Sequence, residues 1–160
     1  CCFKPLERVV LTSNGNLQRL ISSYYDAVVT VNVKRCEEVQ PSVHEREVTL
    51  TVLGREFCVA KSVVVLHSSI CRETFKKGDL GLGQMFRAFD ILPRFELLRA
   101  GRKATEVSGG NGGKVQWSEV MSVPPLERGN LWRLYDLKSR HLSCRIHEEF
   151  ATDLFELADG

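Results

Sequence analysis

Two pairs of short, alternating segments constrain the fold more than any other feature of this sequence. Glu45–Leu53 and Glu56–Leu66 are joined by Gly54-Arg55, and Leu131–Leu137 and Leu142–Phe150 are joined by a polar turn. Alternation of apolar and polar residues with a period of two is typical of strands that bury one face. Because parallel neighbours need crossovers of about a dozen residues or more, joints this short predict antiparallel hairpins.

Other segments extend this pattern beyond the two hairpins. Ala27–Val33 is rich in β-branched residues and predicts a strand, as does Phe95–Arg102. Arg8–Thr12 is short and is expected to be extended. Residues 107–130 are rich in glycine and contain a Pro-Pro pair, which predicts a long mobile insertion with one strand around Val115–Val120. A loop of this kind is as often a lid over a ligand site as an insertion that is tolerated without a function.

Helical signals are short and lie between the strands. Asn16 is a candidate N-cap, and the apolar residues after it fall on one helical face. Ser69–Lys77 predicts a second helix that ends at Gly78, and Leu82–Phe89 predicts a third. The chain is therefore expected to form a single α+β domain over residues 1–160. In it, a meander of antiparallel strands, five or six in number, carries a few short helices over one face.

Composition bounds the function classes. The chain has 160 residues, of which 43% are hydrophobic and 26% charged, with a net charge of +2. A chain of this length buries enough surface to need no disulfide or metal. Its basic residues are scattered among acids, which argues against a nucleic-acid partner. No apolar run approaches the roughly 20 residues that span a bilayer, so no membrane segment is expected.

Cysteine usage points to a reducing compartment. The six cysteines, at positions 1, 2, 36, 58, 71 and 144, form no CxxC pair and fit no common zinc spacing. They are therefore predicted to be reduced structural thiols in a cytoplasmic protein. The start at Cys1 lacks an initiator Met and suggests a fragment or processed chain, so an upstream organellar targeting segment would escape this prediction.

Arg46 is the first candidate site residue. It shares an otherwise apolar face of its predicted strand, and an inward arginine is costly unless it meets an anion. The planar guanidinium suits a two-point grip on a carboxylate. The alternative is an intramolecular pair with Glu45, Glu47 or a distant acid, or exposure on an edge strand.

Glu148 is the second candidate. It lies between Ile146 and Phe150 on one face of its predicted strand, so it is expected to point inward. An inward acid needs a cation or a hydrogen-bond donor, and such acids often serve in functional sites. The alternative is a surface position on an edge strand. Together the two residues predict a small anionic ligand between them.

Other chemical signals are weaker. Gly81-Leu82-Gly83 and the helix start near Leu17 could present backbone N–H groups to an anion, but neither matches a phosphate-binding fingerprint. His67, His141 and His147 do not converge by alternation and are expected to be structural or solvated. No metal site and no nucleophile elbow is predicted.

Taken in order, short motifs in this chain resemble the chorismate lyase family. The resemblance runs from about Leu6 to Phe155 and skips the insertion. The motifs that carry it are Arg46–Leu50, Ala60–Val64, Gly81–Phe86, His147–Phe150 and, more loosely, Thr12–Leu17. Family members release pyruvate from chorismate and leave 4-hydroxybenzoate, without a cofactor. The resemblance implies a six-stranded antiparallel sheet whose ligand lies in an enclosed pocket under helical flaps.

The same resemblance implies roles for individual residues. Arg46 would hold the ligand carboxylate, and Glu148 would meet the oxygen at ring position four. Backbone amides near Leu17 and at Leu82-Gly83 would flank the ligand. The implied ligand is a small aromatic or cyclohexadienyl carboxylate, and by family analogy the product would feed ubiquinone biosynthesis.

Departures from the family pattern leave alternatives open. Lys61 lies where the lyases carry a basic residue, and its role is less well defined. The insertion and the doubled acid Glu148-Glu149 differ from the best-known lyases, so the chain is more similar to a divergent branch of the superfamily. A second interpretation is a non-catalytic ligand-binding domain similar to the effector domains of GntR-type regulators, and a third is a family member that has lost activity.

Overall fold

The computed structural model describes residues 3–76, 82–103 and 130–157, and within them it contains four helices and six strands. The helices are α1 (Pro5–Thr12), α2 (Leu17–Tyr25), α3 (Ser69–Lys76) and α4 (Leu82–Ala88). The strands are β1 (Thr30–Gln40), β2 (Val43–Val52), β3 (Arg55–Leu66), β4 (Arg94–Arg102), β5 (Leu131–Lys138) and β6 (Leu142–Phe150). The strand predicted around Val115–Val120 and most of the insertion lie outside the described residues.

All six strands join one antiparallel sheet in the order β1-β2-β3-β6-β5-β4. The predicted α+β fold, with a six-stranded antiparallel sheet and short helices, is confirmed. The predicted meander is wrong at one step, because β3 pairs with β6 and not with β4. The segment that holds α3 and α4 is long enough to carry the chain from β3 to the far edge of the sheet.

The β2–β3 hairpin follows from one left-handed glycine. Val52 pairs with Arg55, so the loop consists of Leu53 and Gly54, whose φ angles are 51° and 75°. Two positive φ values in a two-residue loop define the turn whose twist matches the flanking strands, and glycine adopts it without steric cost. The turn therefore lies one residue earlier than the predicted Gly54-Arg55.

Two boundaries near the start of the chain differ from prediction. The segment predicted to be extended, Arg8–Thr12, belongs to α1, which begins with a proline in its first turn. Glu7 supports that turn, since its carboxylate accepts the Lys4 N–H at 2.6 Å. The strand predicted at Ala27–Val33 begins instead at Thr30 and runs to Gln40.

The helices cover one face of the sheet and build two apolar clusters there. The first cluster joins α1 and α2 to the strands; its members are Val10, Leu11, Leu17, Ile21, Leu50, Val52, Phe57, Cys58, Leu131, Phe150, Leu154 and Leu157. The second joins α3 and α4 to the strands; its members are Ala60, Val64, Leu66, Cys71, Phe75, Met85, Phe86, Tyr135, Leu137, Leu142, Cys144 and Ile146. Cys58 and Cys144 are thus small core residues, as predicted.

The opposite face of the sheet carries alternate residues of the same strands. Trp132 and His147 stack there with ring centroids 5.7 Å apart. His67 has a separate structural partner, the Ser143 hydroxyl at 2.9 Å. No helix among the described residues is long and apolar enough to cross a membrane.

Helix α1 is fastened to the edge strand β4 by a half-buried ion pair. Arg102 Nη2 approaches the two Glu7 carboxylate oxygens at 2.6 and 2.5 Å. Burial would raise the pKa of Glu7, but the hydrogen bonds from Arg102 and from the Lys4 N–H outweigh it, and the pKa is lowered. The carboxylate therefore stabilises the folded state.

The Glu7→Gln variant tests this contribution as a function of pH. A carboxyl whose pKa is lower in the folded state stabilises above its unfolded value, which is about 4.3. We expect the variant to lose about 1–3 kcal/mol of unfolding free energy near neutral pH. The difference from the parent should vanish as the pH falls through the folded pKa. Urea unfolding from about pH 2 to about pH 7 measures this difference, with Glu73→Gln on the exposed face of α3 as the matched control.

Candidate functional site

Strand register aligns Arg46 and Glu148 on the helix-covered face of the sheet. Arg46 on β2 pairs with Ser62 on β3. Two residues away along β3, Ala60 pairs with Glu148 on β6. Glu148 in turn pairs with Arg133 on β5. Directly opposed residues of an antiparallel sheet project from the same face, and so do residues two apart on one strand. All these side chains therefore point to the covered side.

We call this group the polar band; its members are Arg46, Ser62, Arg133, Tyr135 and Glu148. The band lies between the row that contains Leu50 and Cys58, in the first cluster, and the row that contains Val64 and Cys144, in the second. Its charged members are buried: 6% of Arg46, 5% of Glu148 and none of Arg133 is exposed. The predicted inward direction of the two candidate residues is confirmed.

Small side chains separate Arg46 from Glu148. One strand, β3, lies between them and Glu148 is two residues out of the row of Arg46, so their backbones are about 12 Å apart on the diagonal. The β3 residues between them on this face are Ser62 and Ala60, whereas the next residue on the same face is the larger Val64. The separation of Arg46 and Glu148 and the small β3 side chains between them suit a ligand about the size of one ring.

Glu148 is held from two sides. Its Oε2 accepts a hydrogen bond from Arg133 Nε at 2.6 Å, and its Oε1 accepts one from the Tyr135 hydroxyl at 2.8 Å. Burial, followed by the nearby Glu148 charge, raises the pKa of Tyr135 well above its usual value. Tyr135 is therefore a neutral donor, and its ring also lies 4.5 Å from the Arg133 guanidinium carbon.

Arg133 ties the band to the end of α1. Its Nη1 donates to the carbonyl oxygens of Val10, Leu11 and Ser13, at 2.9, 3.3 and 2.6 Å, and to the Ser13 hydroxyl at 3.1 Å. The last carbonyls of a helix have no partner within it and carry partial negative charge, so a cation stabilises them. Burial, the largest single effect, lowers the pKa of Arg133, but the Glu148 charge, the hydrogen bond to Glu148 and smaller contributions from neighbours together outweigh it and the pKa is raised.

Sequence reasoning missed Arg133, although the sequence holds a signal for it. The residue alternates with Leu131 and Tyr135 on the inward face of a strand already assigned to a hairpin. The observed register pairs Lys138 with Ser143 and therefore Arg133 with Glu148, two residues away from the pairing that a turn at Lys138–His141 would give. The partner of Glu148 is therefore its cross-strand neighbour, Arg133.

Burial lowers the pKa of Arg46, and Cys36 and Cys144 act in the opposite direction. A guanidinium keeps its charge at neutral pH despite such a shift, since its ordinary pKa is above 12. Burial also raises the pKa of the Cys144 thiol to about 12, so this cysteine is not an activated nucleophile.

The predicted backbone donors lie at helix starts on either side of the band. Leu17 begins α2 and belongs to the first cluster. Leu82 begins α4 and packs against the second cluster, and Gly83 follows it with an exposed surface. The loop before Leu17 reaches over β5, because a Cβ on Gly15 would lie 3.9 Å from a methyl carbon of Leu137. That loop therefore lies beside the band, over the β5 residue that follows Tyr135 on the same face.

The structure does not bring Lys61 to the band. Because it lies between Ala60 and Ser62 on β3, its side chain projects from the opposite face of the sheet. It is half exposed there and its Nζ lies 3.9 Å from a carboxylate oxygen of Glu47. A direct contact with a ligand held between Arg46 and Glu148 is therefore ruled out in this structure.

Within residues 3–76, 82–103 and 130–157, no group of His, Cys, Asp and Glu side chains could hold a metal ion. A scan of the sequence against protein-family models finds no family that matches, and a search of curated proteins finds no match. Because these searches find nothing, a functional proposal has to be based on the geometry of the polar band and on the motifs that resemble the lyases.

A double-variant cycle tests how the band is held together. Arg133→Met should lower the unfolding free energy by about 3–5 kcal/mol, because it strands the Glu148 carboxylate and the α1 carbonyls. Adding Glu148→Leu should recover part of that loss, since an apolar pair in place of a buried ion pair is often close to neutral. Urea unfolding measures each step.

The matched control is Lys34→Met, which removes a half-exposed cation of β1 that pairs with the half-exposed Glu56 at 3.5 Å. Exposed pairs contribute about 1 kcal/mol or less. If the double variant were as unstable as the sum of the two single variants, Arg133 and Glu148 would not stabilise each other.

Proposed function

We propose that this chain is a cofactor-independent lyase that converts chorismate to 4-hydroxybenzoate and pyruvate in the polar band. One observation carries the proposal: Arg46 and Glu148 are buried on the same face of the sheet, and the strand between them presents only the small side chains of Ala60 and Ser62 there. A guanidinium at one end and a carboxylate at the other match a small ring that bears a carboxylate and a hydroxyl at opposite positions.

The reaction requires little from the protein. The bond between the ring and the enolpyruvyl oxygen breaks, the neighbouring ring carbon that bears the hydroxyl loses a proton, and the enolpyruvate gains a proton to become pyruvate. The ring becomes aromatic, so the conversion is downhill. The site need only fix the substrate in a reactive conformation and place a proton-handling group beside it.

Each role falls to a residue whose surroundings support it. Arg46 would anchor the ring carboxylate by charge-assisted hydrogen bonds. Glu148 would accept a hydrogen bond from the ring hydroxyl and handle the proton that the ring loses. Arg133 and Tyr135 fix the orientation of the Glu148 carboxylate, which reduces the reorganisation needed during the reaction.

A second candidate function is ligand binding without turnover, as in the effector domains of GntR-type regulators. The observation that favours it is the pairing of Glu148, whose two oxygens already accept hydrogen bonds from Arg133 and Tyr135. Those two donors engage the oxygens that would have to take the proton from the ring. Binding of 4-hydroxybenzoate would then occur with no pyruvate released from chorismate.

Incubation of the purified chain with chorismate separates the two. For the enzyme, we expect pyruvate and 4-hydroxybenzoate to form in equal amounts. Arg46→Ala should weaken 4-hydroxybenzoate binding by about 100-fold, as expected when a buried charge loses its partner. Glu148→Gln should lower turnover by about 100-fold, the scale of general acid–base catalysis, with a smaller effect on binding.

Arg35→Ala is the matched control, because Arg35 is a half-exposed arginine of β1 that pairs with Glu37. It should leave binding and turnover near the parent values. Binding of 4-hydroxybenzoate by the Arg46→Ala variant with unchanged affinity would refute the anchor role.

A further inference from the structure

One nitrogen of the Arg133 guanidinium has no hydrogen-bond partner among the described residues. The side chain is fully buried, its Nε donates to Glu148 and its Nη1 donates to the end of α1, but Nη2 is left without an acceptor. Two N–H bonds are thereby shielded from solvent with nothing to receive them. Buried donors of this kind are costly, and natural proteins leave few of them unpaired.

The position of Nη2 on the guanidinium says where its acceptor would lie. Of the two terminal nitrogens, Nη2 is the one on the same side as the Nε–H bond, so Nε and Nη2 form one fork. Glu148 Oε2 occupies the Nε arm of that fork, and Glu148 Oε1 is already bonded to Tyr135. An oxygen bound to the Nη2 arm would therefore lie beside the Glu148 carboxylate.

We infer that Arg133 is a ligand-binding residue, whose Nη2 donates to the same ligand oxygen that Glu148 contacts. This inference rests on the proposed function. A group placed there must accept from Nη2 and donate to the carboxylate, and a hydroxyl does both. An aromatic amine donates to the carboxylate equally well, but its lone pair is delocalised into the ring, so it is a poor acceptor. The site therefore selects hydroxy-substituted over amino-substituted ring carboxylates.

The rival explanation is that Arg133 serves only to cap α1 and pair with Glu148. A purely structural arginine would affect stability and the affinity for every ligand alike. A ligand contact changes instead the ratio of affinities between a hydroxyl and an amine at the same ring position. That ratio is the measurement that separates the two roles.

Titration calorimetry of the whole chain with 4-hydroxybenzoate, 4-aminobenzoate and benzoate supplies the ratio. The parent chain should bind 4-hydroxybenzoate about tenfold or more tighter than 4-aminobenzoate, because the amine leaves Nη2 unpaired. In Arg133→Lys the ratio should fall to near one, since a lysine has no fork to serve α1, Glu148 and the ligand together. Arg102→Lys is the matched control: it weakens the fastening of α1 through Glu7 and should keep the parent ratio.

Each outcome decides something different. Equal binding of the hydroxyl and amino ligands by the parent chain overturns the role of Arg133 while leaving the ligand site intact, and this comparison needs no variant to fold. A parent-like ratio in folded Arg133→Lys overturns it as well. Failure of the parent chain to bind any of the three ligands overturns the proposed function itself.

Discussion

The buried pair of Arg133 and Glu148 is the interaction on which the arrangement of this molecule depends. The pair joins β5 to β6 on the helix-covered face of the sheet, and the same guanidinium donates to the last carbonyls of α1. A single side chain therefore fixes the orientation of an acid and the position of a helix. A guanidinium holds its donors in one rigid plane. A movement of α1 would therefore also reorient the Arg133 N–H bonds that donate to Glu148.

This pair lies where the apolar interior is interrupted. The helix-covered face holds two clusters, one under α1 and α2 and the other under α3 and α4, with the polar band between them. Apolar residues of similar volume would often give equal or greater stability than a buried ion pair. Stability alone thus does not account for charged residues in the middle of the sheet, whereas the proposed binding of a polar ligand would account for them.

How far the sequence predicts this structure depends on where its periodicity is strong. Alternation within β2 and β6 identified Arg46 and Glu148 as inward residues, since a strand buried on one face fixes the direction of every side chain. The same rule explains why Lys61 falls on the opposite face. The short motif that resembles the lyases suggested a ligand contact for it, but its place between Ala60 and Ser62 directs it away from the band. A motif match carries no information on side-chain direction, whereas strand parity does.

Prediction failed where local composition and tertiary pairing disagree. In β1 the apolar residues 27–29 precede the strand, while the charged stretch after Val33 is extended because its backbone pairs with β2 at the sheet edge. In α1 the apolar pair Val9-Val10 suggested a strand, yet the proline and Glu7 that begin the helix outweigh it. Edge strands and helix starts are set by backbone hydrogen bonds, which hydrophobic patterns do not record.

The candidate site shows the same limit at the level of single atoms. Parity and register place Arg46, Arg133 and Glu148 on one face, and those relations were all present in the sequence once both hairpins were known. Parity could not predict how the Arg133 donors are shared between Glu148 and α1, because that sharing depends on where the end of α1 packs. Two of its three nitrogens are accounted for by α1 and by Glu148. The third lies on the same side of the guanidinium as the N–H bond that reaches Glu148 and has no acceptor among the described residues, so it is the nitrogen that the proposed ligand would bond.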